Sequence, residues 1–208
     1  VVANPPYMGV KGMNTQLKDF AKRNFKDSKS DLFAMFLDHG FSLAKEDGFN
    51  AQINMQSWMF LSSFEKLRRR VINGKTIITM AHLGTRAFDS IGGEVVSTTT
   101  FSIKNTCVSK YQSSFIQLID QKNEATKRAK LLEYRNNVHS TDSRTFNKIP
   151  GSPISYWVTD KIAKIFENSL LNETYELKEG VGTRNDDVFM KMFWEVSTEE
   201  ISRKKRWI

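Results

Sequence analysis

The chain opens on an apolar run, Val1-Val2-Ala3, that stops at Asn4-Pro5-Pro6-Tyr7. The pattern reads as a buried strand running into a stiff loop. Prolines fix φ near about −65° and carry no N–H, and the residue before a proline is driven to extended backbone. Residues 8 to 30 are polar, with Leu17, Phe20 and Ala21 able to make a short helix and Lys11, Lys18, Lys22, Arg23, Lys26 and Lys29 spread among them. Ser30-Asp31 can cap a helix whose apolar positions, Leu32, Phe33, Met35, Phe36, Leu37, Leu43 and Ala44, return at helical spacing until Asp47-Gly48. His39 is expected on that helix's core side, as a hydrogen-bonded structural histidine.

Phe49 to Met59 alternates apolar and polar residues, the period of a strand, and reaches Gln56-Ser57-Trp58. Ser62 and Glu65 have capping-box spacing ahead of a helix that buries Leu67, Val71 and Ile72; Arg68, Arg69 and Arg70 cannot share one face and read as solvated. Asn73-Gly74 turns into a strand from Thr76 to Gly84, a loop follows through Phe88, and Val95 to Ile103 and Phe115 to Ile119 read as further strands. Residues 121 to 135 are charged and helix-prone. Their basic cluster, Lys127, Arg128 and Lys130, reads equally as a solvated face or a phosphate contact. Phe146 to Trp157 is a Pro/Gly connector with aromatic anchors, followed by a short helix through Phe166. Periodicity alone supports a generic α/β domain.

Composition narrows the setting. The chain has 208 residues, 39% of them hydrophobic, and its mean hydropathy is −0.45. No apolar stretch approaches the roughly 20 residues that span a bilayer, and no signal-peptide pattern opens the chain. A single cysteine cannot close an internal disulfide, which points to the cytoplasm. The net charge of +8 favours a polyanionic partner, although the basic residues are scattered and would have to converge in space.

The chemistry lies in the opening loop. The Asn4 side-chain oxygen and the Pro5 carbonyl can accept hydrogen bonds from the two N–H groups of an amine whose lone pair is delocalised, localising that pair for attack. Tyr7 can stack on the ring that carries the amine. The same residues in an ordinary Pro-rich turn would do neither.

Asn4-Pro5-Pro6-Tyr7 resembles motif IV of the amino-methylating, S-adenosylmethionine-dependent DNA methyltransferases, adenine-N6 branch. Leu83-Gly84-Thr85-Arg86-Ala87-Phe88 resembles the motif VIII region of that family. Ile149-Pro150-Gly151-Ser152-Pro153-Ile154-Ser155-Tyr156-Trp157 resembles the connector of type IIG and BREX phage-resistance enzymes, and Gly180 to Phe189 the opening of their target-recognition domain. The resemblance implies the C-terminal half of a Rossmann-like class I methyltransferase domain, with a mixed sheet containing an antiparallel strand, over residues 1–135. A connector over 136–176 and the start of a recognition domain over 177–208 would follow.

It further implies methyl transfer from S-adenosylmethionine to a flipped adenine of double-stranded DNA, in restriction-modification or phage defence beside other subunits, with no metal. Asn4, Pro5 and Tyr7 would be catalytic, Phe88 and Trp58 would line the base, and Asn4, Pro6 and Phe36 would meet the cofactor. Cys107 lacks the preceding proline of cytosine-C5 enzymes, so a covalent cysteine is not expected. The glycine-rich cofactor loop of the family is missing and the chain starts inside a strand, which reads as a fragment of a larger enzyme, inactive alone. Two rivals stay open: a glutamine-N5 protein methyltransferase, which uses the same tetrapeptide, and a non-catalytic DNA-binding scaffold of a defence complex.

Overall fold

The computed structural model describes residues 1–88, 96–133, 138–169, 173 and 176. The chain divides into two compact units, Val1–Asn168 and Ser169–Ile208. The recognition-domain opening expected over 177–208 lies outside the described residues.

The first unit is built on a six-stranded sheet. Its strands are β1 (Val2–Ala3), β2 (Phe49–Met55), β3 (Thr76–Gly84), β4 (Thr98–Lys104), β5 (Gln112–Gln117) and β6 (Val138–Asp142), in the spatial order β1-β2-β4-β3-β5-β6. β1 is parallel to β2, with Val2 opposite Ala51. β4 runs antiparallel to both β2 and β3, β5 is parallel to β3, and β6 is antiparallel to β5. Hence β1, β2, β3 and β5 all point the same way. Their carboxyl ends share one edge, the edge at which open α/β sheets bind ligands.

Helices α1 (Thr15–Asn24), α2 (Leu32–Leu43) and α3 (Glu65–Gly74) precede β3 in the chain, and α4 (Glu124–Leu132) and α5 (Asp160–Ile165) follow β5. The main core gathers Phe33 and Leu37 of α2, Leu67, Val71 and Ile72 of α3, and Ile77, Met80, Phe101, Ile103 and Phe115 of the sheet. Where α2 crosses β2 the interface is polar. Asn50 donates to Leu37 O (3.0 Å), Gln52 to Phe36 O (3.1 Å) and to Asn50 Oδ1 (2.8 Å), and Asn54 to Gln52 Oε1 (3.2 Å). Gly40 lets the helix approach this amide ladder, since a Cβ there would lie 2.5 Å from the Asn50 side-chain nitrogen.

Several expectations are corrected by burial. Arg68 is 1% exposed, and its guanidinium donates to the carbonyls of Trp58 (2.8 Å), Leu61 (3.0 Å), Ser152 (2.8 Å) and Gly151. Five donors in a rigid fork suit this convergence of acceptors; Arg69 and Arg70 stay near solvent, paired with Glu65 and Asp38. Lys127 is also buried, its Nζ donating to Leu83 O (2.7 Å) and Leu118 O (2.8 Å) just beyond or at the ends of β5 and β3. It is therefore neither a solvated nor a phosphate-facing lysine.

His39 is exposed and bonded to Ser42 (3.0 Å), not turned to the core. The Ser62–Glu65 capping box does not form: α3 starts at Glu65 after a 3-10 turn over Ser62–Phe64, with no side-chain cap. The connector is part of the sheet's body, because Phe146, Ile154 and Tyr156 lie in the main core and the Tyr156 ring stacks on Phe115 at 5.1 Å.

Candidate active site

The Asn4-Pro5-Pro6-Tyr7 loop leaves the carboxyl end of β1. Pro5 is buried, Asn4 and Pro6 are exposed, and Tyr7 is half-buried. Among the described residues no group hydrogen-bonds the Asn4 side chain, which stands free at the sheet's edge. Tyr7 is held at both ends: its hydroxyl donates to Ile53 O of β2 (3.2 Å), and its ring meets Phe33 edge-on at 6.2 Å. Burial raises the pKa of this phenol, keeping it a donor.

Behind the loop, Asp31 caps α2 and grips the chain that follows Tyr7. One carboxylate oxygen accepts from Met8 N–H (3.0 Å) and Phe33 N–H (3.3 Å), while Leu32 N–H donates to Met8 O (3.0 Å). Burial raises the Asp31 pKa, opposed by these backbone hydrogen bonds. The helix cap and the loop anchor are the same side chain, so the position of Asn4 is tied to the start of α2.

Phe36 is 44% exposed on α2. It borders an apolar hollow of about 300 Å³ with Leu17, Phe20, Phe25, Leu32, Met35 and His39. Phe88 is half-buried in the loop after β3, where Gly84 at φ +68° and Arg86 at φ +56° turn the chain; glycine adopts that region at no steric cost. Trp58 does not stand where a base could stack on it. It is 0% exposed, packed edge-on against Phe101 at 5.4 Å, with its carbonyl taken by Arg68. An indole in this position is a pillar beneath the loop.

The structure adds a group that periodicity could not reveal. His82, on β3, is 5% exposed, with Nε2 2.6 Å from Gln56 Oε1 and Nδ1 3.1 Å from the Tyr156 hydroxyl. Burial, with a smaller contribution from the Lys127 charge, lowers its pKa to about 4. Trp157 stacks on it at 6.5 Å and Phe60 lies 6.0 Å away. In sequence His82 is one polar residue in a strand; only the return of the connector puts Tyr156 beside it.

With this geometry in place, the relatives are informative. Residues 1–88, from the Asn4 loop through Phe88, match the Eco57I restriction-modification methylase family. The chain is 54% identical over 198 residues to the adenine-specific methyltransferase BrxX of Escherichia coli O9:H4 (strain HS), covering 95% of this chain and 16% of that protein. By sequence, the chain is similar to adenine-specific methyltransferases. A second of these, PglX of Lacticaseibacillus casei (strain Zhang), is 39% identical over 222 residues, covering 99% of this chain and 18% of that protein. The chain thus spans under a fifth of the length of either relative.

Solved structures agree on the fold. The methyltransferase subunit of a type I restriction-modification system from Streptococcus thermophilus superposes with a TM-score of 0.52 at 18% identity, over 75% of this chain and 37% of that one. DrdV, solved as a DNA complex, gives 0.51 at 15% identity, over 77% of this chain and 18% of that one. The sheet has the Rossmann-like α/β fold that these structures share.

Proposed function

We propose that this segment supplies the target-amine side of a DNA adenine-N6 methyltransferase that acts in restriction-modification or phage defence. The observation that carries the reading is the Asn4 loop. An amide with no hydrogen-bond partner among the described residues stands at the carboxyl edge of a methyltransferase-like sheet, on a backbone fixed by Pro5, Pro6, Tyr7 and Asp31. The likeness to BrxX and PglX, both adenine-specific methyltransferases, supports adenine as the substrate base.

The chemistry follows from these residues. Asn4 Oδ1 and Pro5 O accept the two N6 hydrogens of an extruded adenine, drawing its lone pair out of the ring and aiming it outward. Tyr7, pinned at its hydroxyl, presents ring surface to the base, and Phe88 approaches from the loop after β3. Stacking of this kind is worth roughly 1 to 3 kcal/mol per base and offsets the cost of unstacking. S-adenosylmethionine supplies a methyl group on a positively charged sulfur. The residues present fit such a donor: exposed Phe36 in its apolar hollow suits a flat heterocycle, and Asn4 and Pro6 are exposed where the chain leaves β1. After transfer the amine gives up its surplus proton to water. Double-stranded DNA is the partner, and the net charge of +8 suits it.

The decisive experiment compares a full-length chain carrying this segment with its Asn4→Ala variant, using labelled S-adenosylmethionine and duplex DNA digested to nucleosides. N6-methyladenine is expected from the first and a loss of about 100-fold or more in the second, the scale of a hydrogen-bonding group acting in the transition state. Label on protein instead of DNA would replace this reading with the glutamine-N5 one, and no label on either would favour the scaffold.

A further inference from the structure

One group at the carboxyl edge is unused by this mechanism, the Gln56 side chain. Gln56 follows β2 directly, and its main-chain N–H is tied to Ser97 O at 2.9 Å, just ahead of β4. Its Oε1 meets His82 Nε2 at 2.6 Å, and His82 Nδ1 meets the Tyr156 hydroxyl at 3.1 Å. With Oε1 turned to the ring, Gln56 accepts from Nε2–H, and Nδ1 accepts from the Tyr156 O–H. The NH2 end of the half-buried Gln56 side chain then points away from His82, and it donates to no described residue.

We infer that Gln56 is a base-reading residue: its NH2 donates to a ring nitrogen that flanks the adenine amine, N1 or N7, while Asn4 and Pro5 hold the amine itself. This rests on the adenine reading above and deepens it. Both ring nitrogens are acceptors in adenine. Guanine carries a hydrogen on N1, so a fixed donor facing that position repels it. Sites built to hydrogen-bond a polar group reject analogues that lack it far better than apolar pockets do. His82 and Tyr156 are positioning residues, setting the amide's orientation from beneath.

The test measures kcat/KM of the full-length chain and of Gln56→Leu on duplexes whose target base is adenine, 1-deazaadenine or 7-deazaadenine, each analogue replacing one acceptor by C–H. The wild type should lose about 10-fold or more on one analogue, the scale of a hydrogen bond lost in a desolvated site. Gln56→Leu should fall by a similar factor on adenine and lose nothing further on that same analogue. Gln56→Glu, which keeps an oxygen for His82 but presents an acceptor, should behave likewise and guards against a fold defect in Gln56→Leu. Equal analogue penalties in wild type and variants, or no penalty in the wild type, would overturn the assignment and leave the adenine reading standing. Absence of DNA methylation by the wild type would remove both.

Discussion

Among the described residues, Arg68 is a side chain on which four backbone carbonyls converge. Its guanidinium serves carbonyls of the 3-10 turn after β2, of Leu61 and of the connector. Truncation would leave three buried or half-buried acceptors, the carbonyls of Trp58, Gly151 and Ser152, without a partner, since Leu61 O keeps its bond from Phe64 N–H, and each is worth about 1 kcal/mol or more. Arg68→Met should therefore destabilise the protein by roughly 3 kcal/mol, lowering Tm by about 6 to 12 °C in a thermal melt. Arg68→Lys should recover little, because one ammonium cannot reproduce the fork. The sequence shows Arg68 only as the first of three consecutive arginines. Its burial depends on Gly151 and Ser152, more than eighty positions later. Lys127 and Trp58 were opaque for the same reason: their partners are main-chain carbonyls and core rings brought from elsewhere in the chain. Asn4, Pro5, Pro6 and Tyr7 were legible because the backbone they impose is local.

At the scale of elements, long periodic segments could be read and the ends could not. α2 occupies the residues its apolar spacing and Asp31 cap require. β2, β3 and β4 fall within their alternating or β-branched runs, although β4 begins at Thr98 and not Val95. β6 was missed, since Val-His-Ser-Thr-Asp has no buried alternation and becomes a strand by pairing with β5. The contact between α2 and β2 was hidden as well, because amides do the work expected of apolar residues. Gly40→Ala should force the helix off the amide ladder at a cost of about 1 to 3 kcal/mol, the range for overpacking. Pairing it with Asn50→Ser should restore part of that loss in urea denaturation, since the atoms that clash would be gone.

For the molecule as a whole, His82 makes stability depend on pH. Its folded pKa, about 4, lies below the ordinary 6.5. The unfolded chain therefore binds the proton more readily, and folding is favoured where the ring is neutral in both states. The contribution is complete above pH 6.5, falls as pH drops toward 4, and levels off below that. The difference amounts to about 3 kcal/mol. Urea midpoints measured across that window should fall in the wild type and fall less in His82→Asn.

The sheet's strand order bears on how the chain reaches this state. β4 lies between β2 and β3 yet is made after both. Until residue 104 has left the ribosome, the two earlier strands face an empty slot with unpaired edges, and neither can close on the other in native register. Docking β4 must satisfy fourteen pairings at once, seven on each side. Non-local steps of this kind are slow and leave exposed strand edges open to association. The same inverted strand that later carries the His82–Gln56 bridge across its end makes nascent chains vulnerable during synthesis, at the interval when β2 and β3 exist and β4 does not.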